Sequence, residues 1–135
     1  MKKITQKDME LIEEAKKVAK KFCSVKWKEE QISTVGAALR TKDGKIYSGP
    51  NIFHPESGPS SICAEYTALA KAYSEGYKEI DTIVAYGYRS EKEQKIMAPC
   101  GKCRAFIRLF GNPWVIINAK EKFRLKEILP FCDNW

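Results

Sequence analysis

Residues 82–86, Thr82-Ile-Val-Ala-Tyr86, form a nearly continuous apolar run. A run of this length and composition is typical of a strand whose sheet is covered on both faces. Residues 114–118 form a second such run. Between them lies a predicted helix, which begins near Pro99 because proline is favoured in a first helical turn, and which ends at Gly111-Asn-Pro113. A strand, a helix and a second strand in this order indicate an α/β fold with helices on the faces of the sheet.

The segments before this unit continue the alternation of strands and helices. Asp43-Gly44 lies between two strand-like runs, which is a strong signal for a β-hairpin. Thr5 and Asp8 form a capping pattern ahead of an amphipathic helix, and the three prolines of residues 49–61 predict a loop. The remaining predicted elements are helix 9–22, strands 32–39 and 45–48, helix 62–74 and helix 125–129. We therefore predict a three-layer α/β/α fold.

Composition limits the class of protein. The chain has 135 residues, 44% of them hydrophobic, so residues 1–135 fit one domain with a sizeable core. The net charge of +7 is spread along the chain, which is weak evidence for nucleic-acid binding. No apolar run approaches the roughly 18 residues of a membrane span, and no apolar stretch follows the basic start as in a secretory signal. Five cysteines in such a chain favour metal binding or catalysis over disulfides, so we expect a cytoplasmic protein.

Two fragments carry the candidate chemistry, Cys63-Ala64-Glu65 and Pro99-Cys100-Gly101-Lys102-Cys103. A redox Cys-x-x-Cys pair would leave Cys63 without a role, and a structural zinc site needs a fourth protein ligand. Three thiolates leave one tetrahedral position for water, as catalytic zinc requires. Both fragments are predicted at helix starts, where the helix dipole and free N–H groups would draw negative charge away from the sulfurs. The pattern predicts one zinc ion held by Cys63, Cys100 and Cys103.

Glu65 lies two residues after the first predicted ligand, so its carboxylate can reach over the metal without binding it. There it can take a proton from zinc-bound water and pass it to a substrate nitrogen. Three Cys or His ligands, a non-ligating Glu and a Pro-Cys-x-x-Cys second half are together the signature of zinc deaminases. We predict hydroxide attack at C4 of a cytosine-type ring, with Glu65 as the proton shuttle and ammonia as the leaving group.

These motifs resemble the cytidine deaminase superfamily, and within it the blasticidin-S deaminases and related small deaminases. The resemblance covers nearly the whole chain, from the Asp-Gly hairpin through Cys-Ala-Glu and Pro-Cys-Gly-x-Cys-Arg to a terminal Ile-Leu-Pro. It implies a mixed sheet of five strands and one catalytic zinc per subunit. It also implies a homotetramer in which neighbouring subunits complete each other's sites.

The loop before Cys63 departs from the nucleoside-specific members of this superfamily. They usually carry Asn-x-Glu, with both side chains on the ribose, whereas this chain has Asn51-Ile-Phe53-His54, similar to the blasticidin-S deaminase pattern. The resemblance implies that Asn51, Phe53 and His54 contact the substrate, and that loss of the carboxylate weakens recognition of sugar hydroxyls. An aromatic residue near the carboxyl end of the blasticidin-type enzymes implies that Trp135 caps the site.

The charge around the thiolates also differs from the usual pattern. Tyr66 stands where the tetrameric cytidine deaminases commonly have an arginine that offsets the thiolates. The resemblance implies that Lys102 or Arg104 takes this role here. We expect backbone groups near Ala64 and Cys100 to hold the base.

Several alternatives stay open from the sequence. Asn51 could serve only the turn between the prolines, Phe53 could anchor packing, and His54 could be a fourth zinc ligand, although it would then block the water site. A polynucleotide deaminase would use the same zinc core, and a zinc-stabilised interaction module would bind zinc without releasing ammonia. We expect a small-molecule partner, neither nucleic acid nor membrane. Cytidine, deoxycytidine, a cytosine-containing antibiotic and a modified nucleoside all remain candidate substrates, in salvage or in detoxification.

Overall fold

A computed structural model describes residues 1–130 of the chain. Its helices are α1 (Gln6–Phe22), α2 (Ala64–Ser74), α3 (Gly101–Ile107) and α4 (Leu125–Ile128). Its strands are β1 (Lys2–Lys3), β2 (Lys26–Trp27), β3 (Glu30–Gln31), β4 (Val35–Thr41), β5 (Ile46–Pro50), β6 (Ile80–Ser90), β7 (Glu93–Met97), β8 (Trp114–Ile116) and β9 (Glu121–Arg124). Short 3-10 turns lie at Gly58–Ser60 and Arg108–Phe110.

β6 is the longest strand and organises the main sheet. Its first half is parallel to β8, with Thr82 beside Trp114, and its second half is antiparallel to β7, with Ala85 beside Met97. On its other side it pairs antiparallel with β4. The strand order is β1-β9-β8-β6-β4-β5, with β7 attached to β6. The predicted α/β fold with a mixed sheet is therefore confirmed.

Within residues 1–130 the sheet has seven strands, rather than the five that the resemblance implied. The additional strands are short or polar, so they lack the apolar runs by which a strand is found in sequence. β1 contains only two exposed lysines, and it pairs with β9 through Lys2 and Lys122. β7 alternates exposed and partly buried side chains, and its sequence, Glu-Gln-Lys-Ile-Met, contains no long apolar run. Lysines on a short outer strand hinder further strand addition at this edge of the sheet.

Helices cover both faces of the sheet, which confirms the three layers. α1 packs on one face, where its Leu11 and Ala15 meet Ala38, Val84 and Ile116. α2, α3 and α4 cover the other face, whose core includes Leu39, Leu69, Ile83, Ile107 and Leu125. Because side chains alternate along a strand, Ala38 faces α1 while its neighbours Ala37 and Leu39 face α2.

α1 begins at the predicted cap and crosses the sheet at close range. The Thr5 side chain accepts a hydrogen bond from the Asp8 backbone N–H, and the Asp8 carboxylate accepts one from Thr5 N–H. Gly36 of β4 lies beneath the helix, and a Cβ at this position would be 2.4 Å from the Ala15 carbonyl oxygen. A side chain at this position would therefore push α1 away from the sheet.

The predicted β-hairpin is present between β4 and β5. Thr41 N–H donates to the Lys45 carbonyl at 2.8 Å, and Gly44 has the positive φ of 94° that the turn requires. The predicted helices 9–22, 62–74 and 125–129 are also present, within a few residues at each end. Within residues 1–130, none of the helices combines the length and the apolar character that crossing a bilayer demands.

Candidate metal centre and active site

Three cysteine sulfurs meet where two helices begin. Cys63 is the N-cap of α2, Cys100 is the N-cap of α3, and Cys103 lies one turn into α3. Their Sγ atoms all lie within 4.8 Å of one another. Both cap residues have extended backbone, with no side-chain capping bond, so their side chains are free to turn toward a common point. The structure thus brings together all three predicted metal ligands.

The sulfur cluster fits a single zinc ion with one position left over. Zinc–sulfur bonds of about 2.3 Å in a tetrahedron place sulfurs about 3.8 Å apart, which the observed separations allow. Among residues 1–130, no His, Asp or Glu side chain joins the three sulfurs as a fourth donor, so His54 is not part of the cluster. Cys103 is buried, Cys63 is partly buried and Cys100 is exposed, so the cluster opens toward the surface on one side.

The acidity of the three thiols matches a site built for a cation. Burial raises the pKa of Cys63 and that of Cys103, and the negative charge of Glu65 raises both further. Burial also acts to raise the pKa of Cys100, but the backbone N–H groups of Cys103 and Lys102 outweigh it, so this pKa lies below its usual value. A divalent metal ion bound among the sulfurs would favour the thiolate form of all three.

Glu65 lies beside the sulfurs as the second residue of α2. It is 7% exposed, and burial raises the pKa of its carboxyl. Hydrogen bonds from its own backbone N–H and from the Cys103 thiol act in the opposite direction and are outweighed. A carboxyl with a raised pKa holds a proton more readily than an ordinary Glu, which suits a group that accepts a proton and returns it.

The two cationic residues of α3 have different surroundings. Lys102 Nζ lies 5.2 Å from the centre of the Tyr66 ring, and its charge acts to lower the pKa of Cys63. Arg104 Nε donates to the Pro99 carbonyl at 2.8 Å, and Arg104 Nη1 donates to the Ile128 carbonyl at 2.9 Å. Arg104 therefore ties the segment before Cys100 to the end of α4.

The loop between β5 and α2 is folded back on itself. Ile52 and Ile62 form an isolated β-bridge, with both backbone hydrogen bonds at 2.9 Å, so the two ends of the loop lie side by side next to Cys63. Asn51 Oδ1 accepts hydrogen bonds from the backbone N–H groups of Thr34 and Val35 at 2.8 and 2.9 Å. The side chain of Asn51 thus anchors the start of the loop to β4 through its oxygen.

Phe53 and His54 are held mainly through their backbones. Phe53 N–H donates to the Ile32 carbonyl at 2.8 Å, while the Phe53 side chain is 45% exposed. His54 N–H donates to Ser61 Oγ at 2.9 Å. The predicted contact residue Trp135 lies outside the described residues.

The sequence did not single out two residues that contact His54. Ser61 Oγ fixes its backbone, and the Trp27 ring lies against its imidazole with centroids 5.3 Å apart. Trp27 is 27 residues away from His54 in the chain and belongs to a two-residue strand, so no local pattern connected the two. Ala64, the first residue of α2, is buried directly beside Cys63 and Glu65.

Comparison with known proteins agrees with this site. A family model described as the cytidine and deoxycytidylate deaminase zinc-binding region matches residues 5–119. The blasticidin-S deaminase of Bacillus cereus is 34% identical over 136 residues, which cover 94% of this chain and 92% of that protein. A probable cytidine deaminase of Dictyostelium discoideum is 40% identical over 92 residues, covering 68% of this chain and 60% of that protein.

Solved structures show the same fold. The cytidine deaminase of Burkholderia pseudomallei superposes with a TM-score of 0.74 at 29% identity, over 96% of this chain and 99% of that chain. The cytidine deaminase of Bacillus anthracis superposes with a TM-score of 0.76 at 20% identity, over 93% of this chain and 88% of that chain. The likeness therefore extends over almost the whole of the chain and includes both cysteine fragments.

Proposed function

Since the chain belongs to the cytidine and deoxycytidylate deaminase family, and is thus a zinc-dependent aminohydrolase, we propose that it removes the exocyclic amine of a cytosine-type nucleoside or nucleoside analogue. The observation that carries this proposal is the meeting of three sulfurs from two helix starts beside the buried carboxyl of Glu65. A zinc ion bound there would supply the nucleophile, because zinc lowers the pKa of water to about 7.

Glu65 is the residue that moves protons in this proposal. Its carboxylate accepts one proton from the attacking water and donates it to the ring nitrogen next to C4. It then accepts the second proton, from the new hydroxyl at C4, and donates it to the amine, which leaves as ammonia as the C4 carbonyl forms. Because the side chain is almost entirely buried, bulk water has little access to take over these transfers. The carboxyl of Glu65 lies beside the Cys103 sulfur, and we propose that the reacting carbon lies next to both.

The β5–α2 loop is the proposed substrate-binding segment. Asn51 has its oxygen engaged by Thr34 and Val35, so its amide Nδ2 is the group available to donate to a substrate oxygen. The exposed ring of Phe53 offers an apolar surface where a nucleoside-specific relative has a carboxylate. We place the base near the backbone of Ala64 and Cys100, at the starts of the two helices.

A substrate without a standard ribose fits this loop best. A carboxylate would accept hydrogen bonds from sugar hydroxyls, and an aromatic ring at that position cannot do so. The relative from Bacillus cereus is a blasticidin-S deaminase. We therefore rank a cytosine-containing nucleoside antibiotic ahead of cytidine and deoxycytidine as the substrate, with Trp135 as a further contact.

Lys102 is the residue that we propose to offset the thiolate charge. Its ammonium group acts to lower the pKa of Cys63, whereas Arg104 donates hydrogen bonds to the carbonyl groups of Pro99 and Ile128. Arg104 would then orient the Pro99–Cys103 segment instead of neutralising it.

We also propose a homotetramer whose subunits complete each other's sites. An apolar surface on α2 and the end of α3 includes Tyr73, which is 63% exposed, and Leu109, which is 73% exposed. Phe106 and Phe110 lie next to these side chains. Exposed apolar surface of this kind marks a contact surface between proteins, and further copies of the chain would cover it.

An absorbance screen for deamination tests the proposed function. Zinc-loaded protein is incubated with cytidine, deoxycytidine, 5-substituted analogues and blasticidin S, while ammonia and bound zinc are measured in parallel. Release of ammonia from at least one cytosine compound, with about one zinc per chain, is the expected result. One zinc per chain without ammonia from any of these compounds would contradict the proposal and indicate a zinc-stabilised module instead.

A further inference from the structure

A small hairpin outside the main sheet lies against the proposed substrate loop. β2 and β3 pair antiparallel, with Trp27 beside Glu30. The two residues of the turn, Lys28 and Glu29, have φ of 50° and 68°, the left-handed conformation that residues other than glycine seldom adopt. Such a turn persists only when surrounding contacts hold it, and these conformations concentrate at functional sites.

Several of the contacts that hold this hairpin come from the substrate loop. The Trp27 ring meets the His54 ring edge to face, with centroids 5.3 Å apart and planes at 60°. Lys28 Nζ lies 3.5 Å from a Glu56 carboxylate oxygen and 4.6 Å from the centre of the Trp27 ring. Immediately after the hairpin, the Ile32 carbonyl accepts the N–H of Phe53. The hairpin and the loop are thus joined at three successive points.

Trp27 contributes little to the core of the protein. It is 38% exposed and belongs to neither of the two clusters of buried apolar residues on the faces of the sheet. A tryptophan ring in edge-to-face contact with an imidazole restricts how that imidazole can rotate, and this is the effect that the geometry offers.

The contact matters because, among residues 1–130, one nitrogen of the His54 ring has a hydrogen-bond partner and the other has none. Nδ1 accepts the backbone N–H of Glu56 at 3.1 Å, which places the proton of the neutral ring on Nε2. We infer that Trp27 is a positioning residue, which holds the His54 imidazole so that Nε2–H donates a hydrogen bond to an acceptor atom of the bound nucleoside. The inference rests on the proposed function and goes beyond it, because it assigns substrate affinity to a residue outside the substrate loop.

Steady-state kinetics of a double-mutant cycle test this role. Trp27→Leu and His54→Ala should each raise KM about tenfold, as for the loss of one substrate hydrogen bond, with kcat changed less than about twofold. The double variant should match His54→Ala alone, because Trp27 acts only through His54. Trp27→Phe keeps an aromatic ring against His54 and should retain most of the substrate affinity. This variant tests the same contact if Trp27→Leu folds poorly. Val25→Ala is the matched control, since Val25 is an exposed apolar residue of the same segment.

A second readout does not depend on substrate. His54 is the only histidine of the chain, so 15N-histidine labelling gives a single set of imidazole NMR signals. Trp27→Leu should shift these signals and Val25→Ala should not, whether or not a substrate has been found. An absorbance screen with no active substrate would refute the proposed function while leaving this ring contact measurable. Unchanged imidazole signals, or KM effects of Trp27→Leu and His54→Ala that simply add, would overturn the positioning role.

Discussion

Replacing Glu65 by glutamine removes the proposed proton shuttle and changes almost nothing else in the site. The amide has nearly the shape of the carboxyl, and the three sulfurs that fit zinc belong to other residues. A single general acid–base transfer contributes about 10²–10⁴ in rate, and Glu65 would serve both the attacking water and the leaving amine. Since its side chain is only 7% exposed, water cannot readily replace it. We expect kcat to fall at least about 10⁴-fold, which is about 5.5 kcal/mol in activation free energy.

The same substitution should leave zinc binding intact or slightly tighter. The charge of Glu65 raises the pKa of Cys63 and of Cys103, so a neutral side chain at position 65 makes both thiols easier to ionise. Ammonia release gives kcat, and competition with a chromophoric chelator gives the zinc affinity. Glu75→Gln is the matched control, because Glu75 lies at the exposed far end of the same helix.

Two results would refute this reasoning. A Glu65→Gln variant with more than about 1% of the wild-type kcat would show that another group carries the protons. A variant that lost its zinc would show that Glu65 serves the metal, and its inactivity would then say nothing of proton transfer. Activity lost with zinc retained is the outcome that the structure predicts.

Two further variants address stability and assembly. Asp8 is fully buried and accepts a hydrogen bond from Lys122 Nζ at 2.7 Å. Burial acts to raise the pKa of Asp8, but its hydrogen bonds and the charge of Lys122 outweigh this effect, so the pKa is lowered. The ionised carboxylate therefore stabilises the fold above the unfolded pKa near 3.8, and this stabilisation is lost as the pH falls further. Asp8→Asn should lower the free energy of unfolding by about 3 kcal/mol at neutral pH. In denaturant titrations the difference in this free energy between variant and wild type should narrow below about pH 4, and a difference that stayed constant with pH would contradict this. Leu109→Glu combined with Tyr73→Ser should reduce the particle mass in light scattering from four chains to fewer, and an unchanged mass would place the interface elsewhere.

The sequence predicted the elements that bury apolar side chains and missed those that do not. The run at residues 82–86 identified the centre of β6 because both of its faces are covered. The same run could not show that β6 extends to Ser90, since Arg89 and Ser90 are exposed. β7 was missed for a related reason, because it lies beside β6 with alternate side chains in solvent. Backbone pairing stabilises these strands, and side-chain patterns do not record it.

The site residues also divide into those that the sequence could identify and those that only the fold reveals. The cysteines and Glu65 were identifiable because their chemistry depends on residue type and on spacing within a helical turn. The contacts of Arg104 and Asn51 were not, because their partners are backbone groups of other segments, the carbonyls of Pro99 and Ile128 and the N–H groups of Thr34 and Val35. A backbone group is the same at every residue, so its position is known only from the fold.

The register of the sheet explains why the two cysteine fragments meet. One row of paired residues crosses four strands, in the order Pro50, Gly36, Tyr86 and Ile96. Pro50 ends β5 and Ile96 is the penultimate residue of β7, so these two strands, which run in opposite directions, end at the same level of the sheet before the chain enters α2 and α3. A slip of two residues in either hairpin would move one strand end by about 6.6 Å. That distance exceeds the 4.8 Å within which the sulfurs lie, so the registers of the β4–β5 and β6–β7 pairings help to bring the two cysteine fragments together.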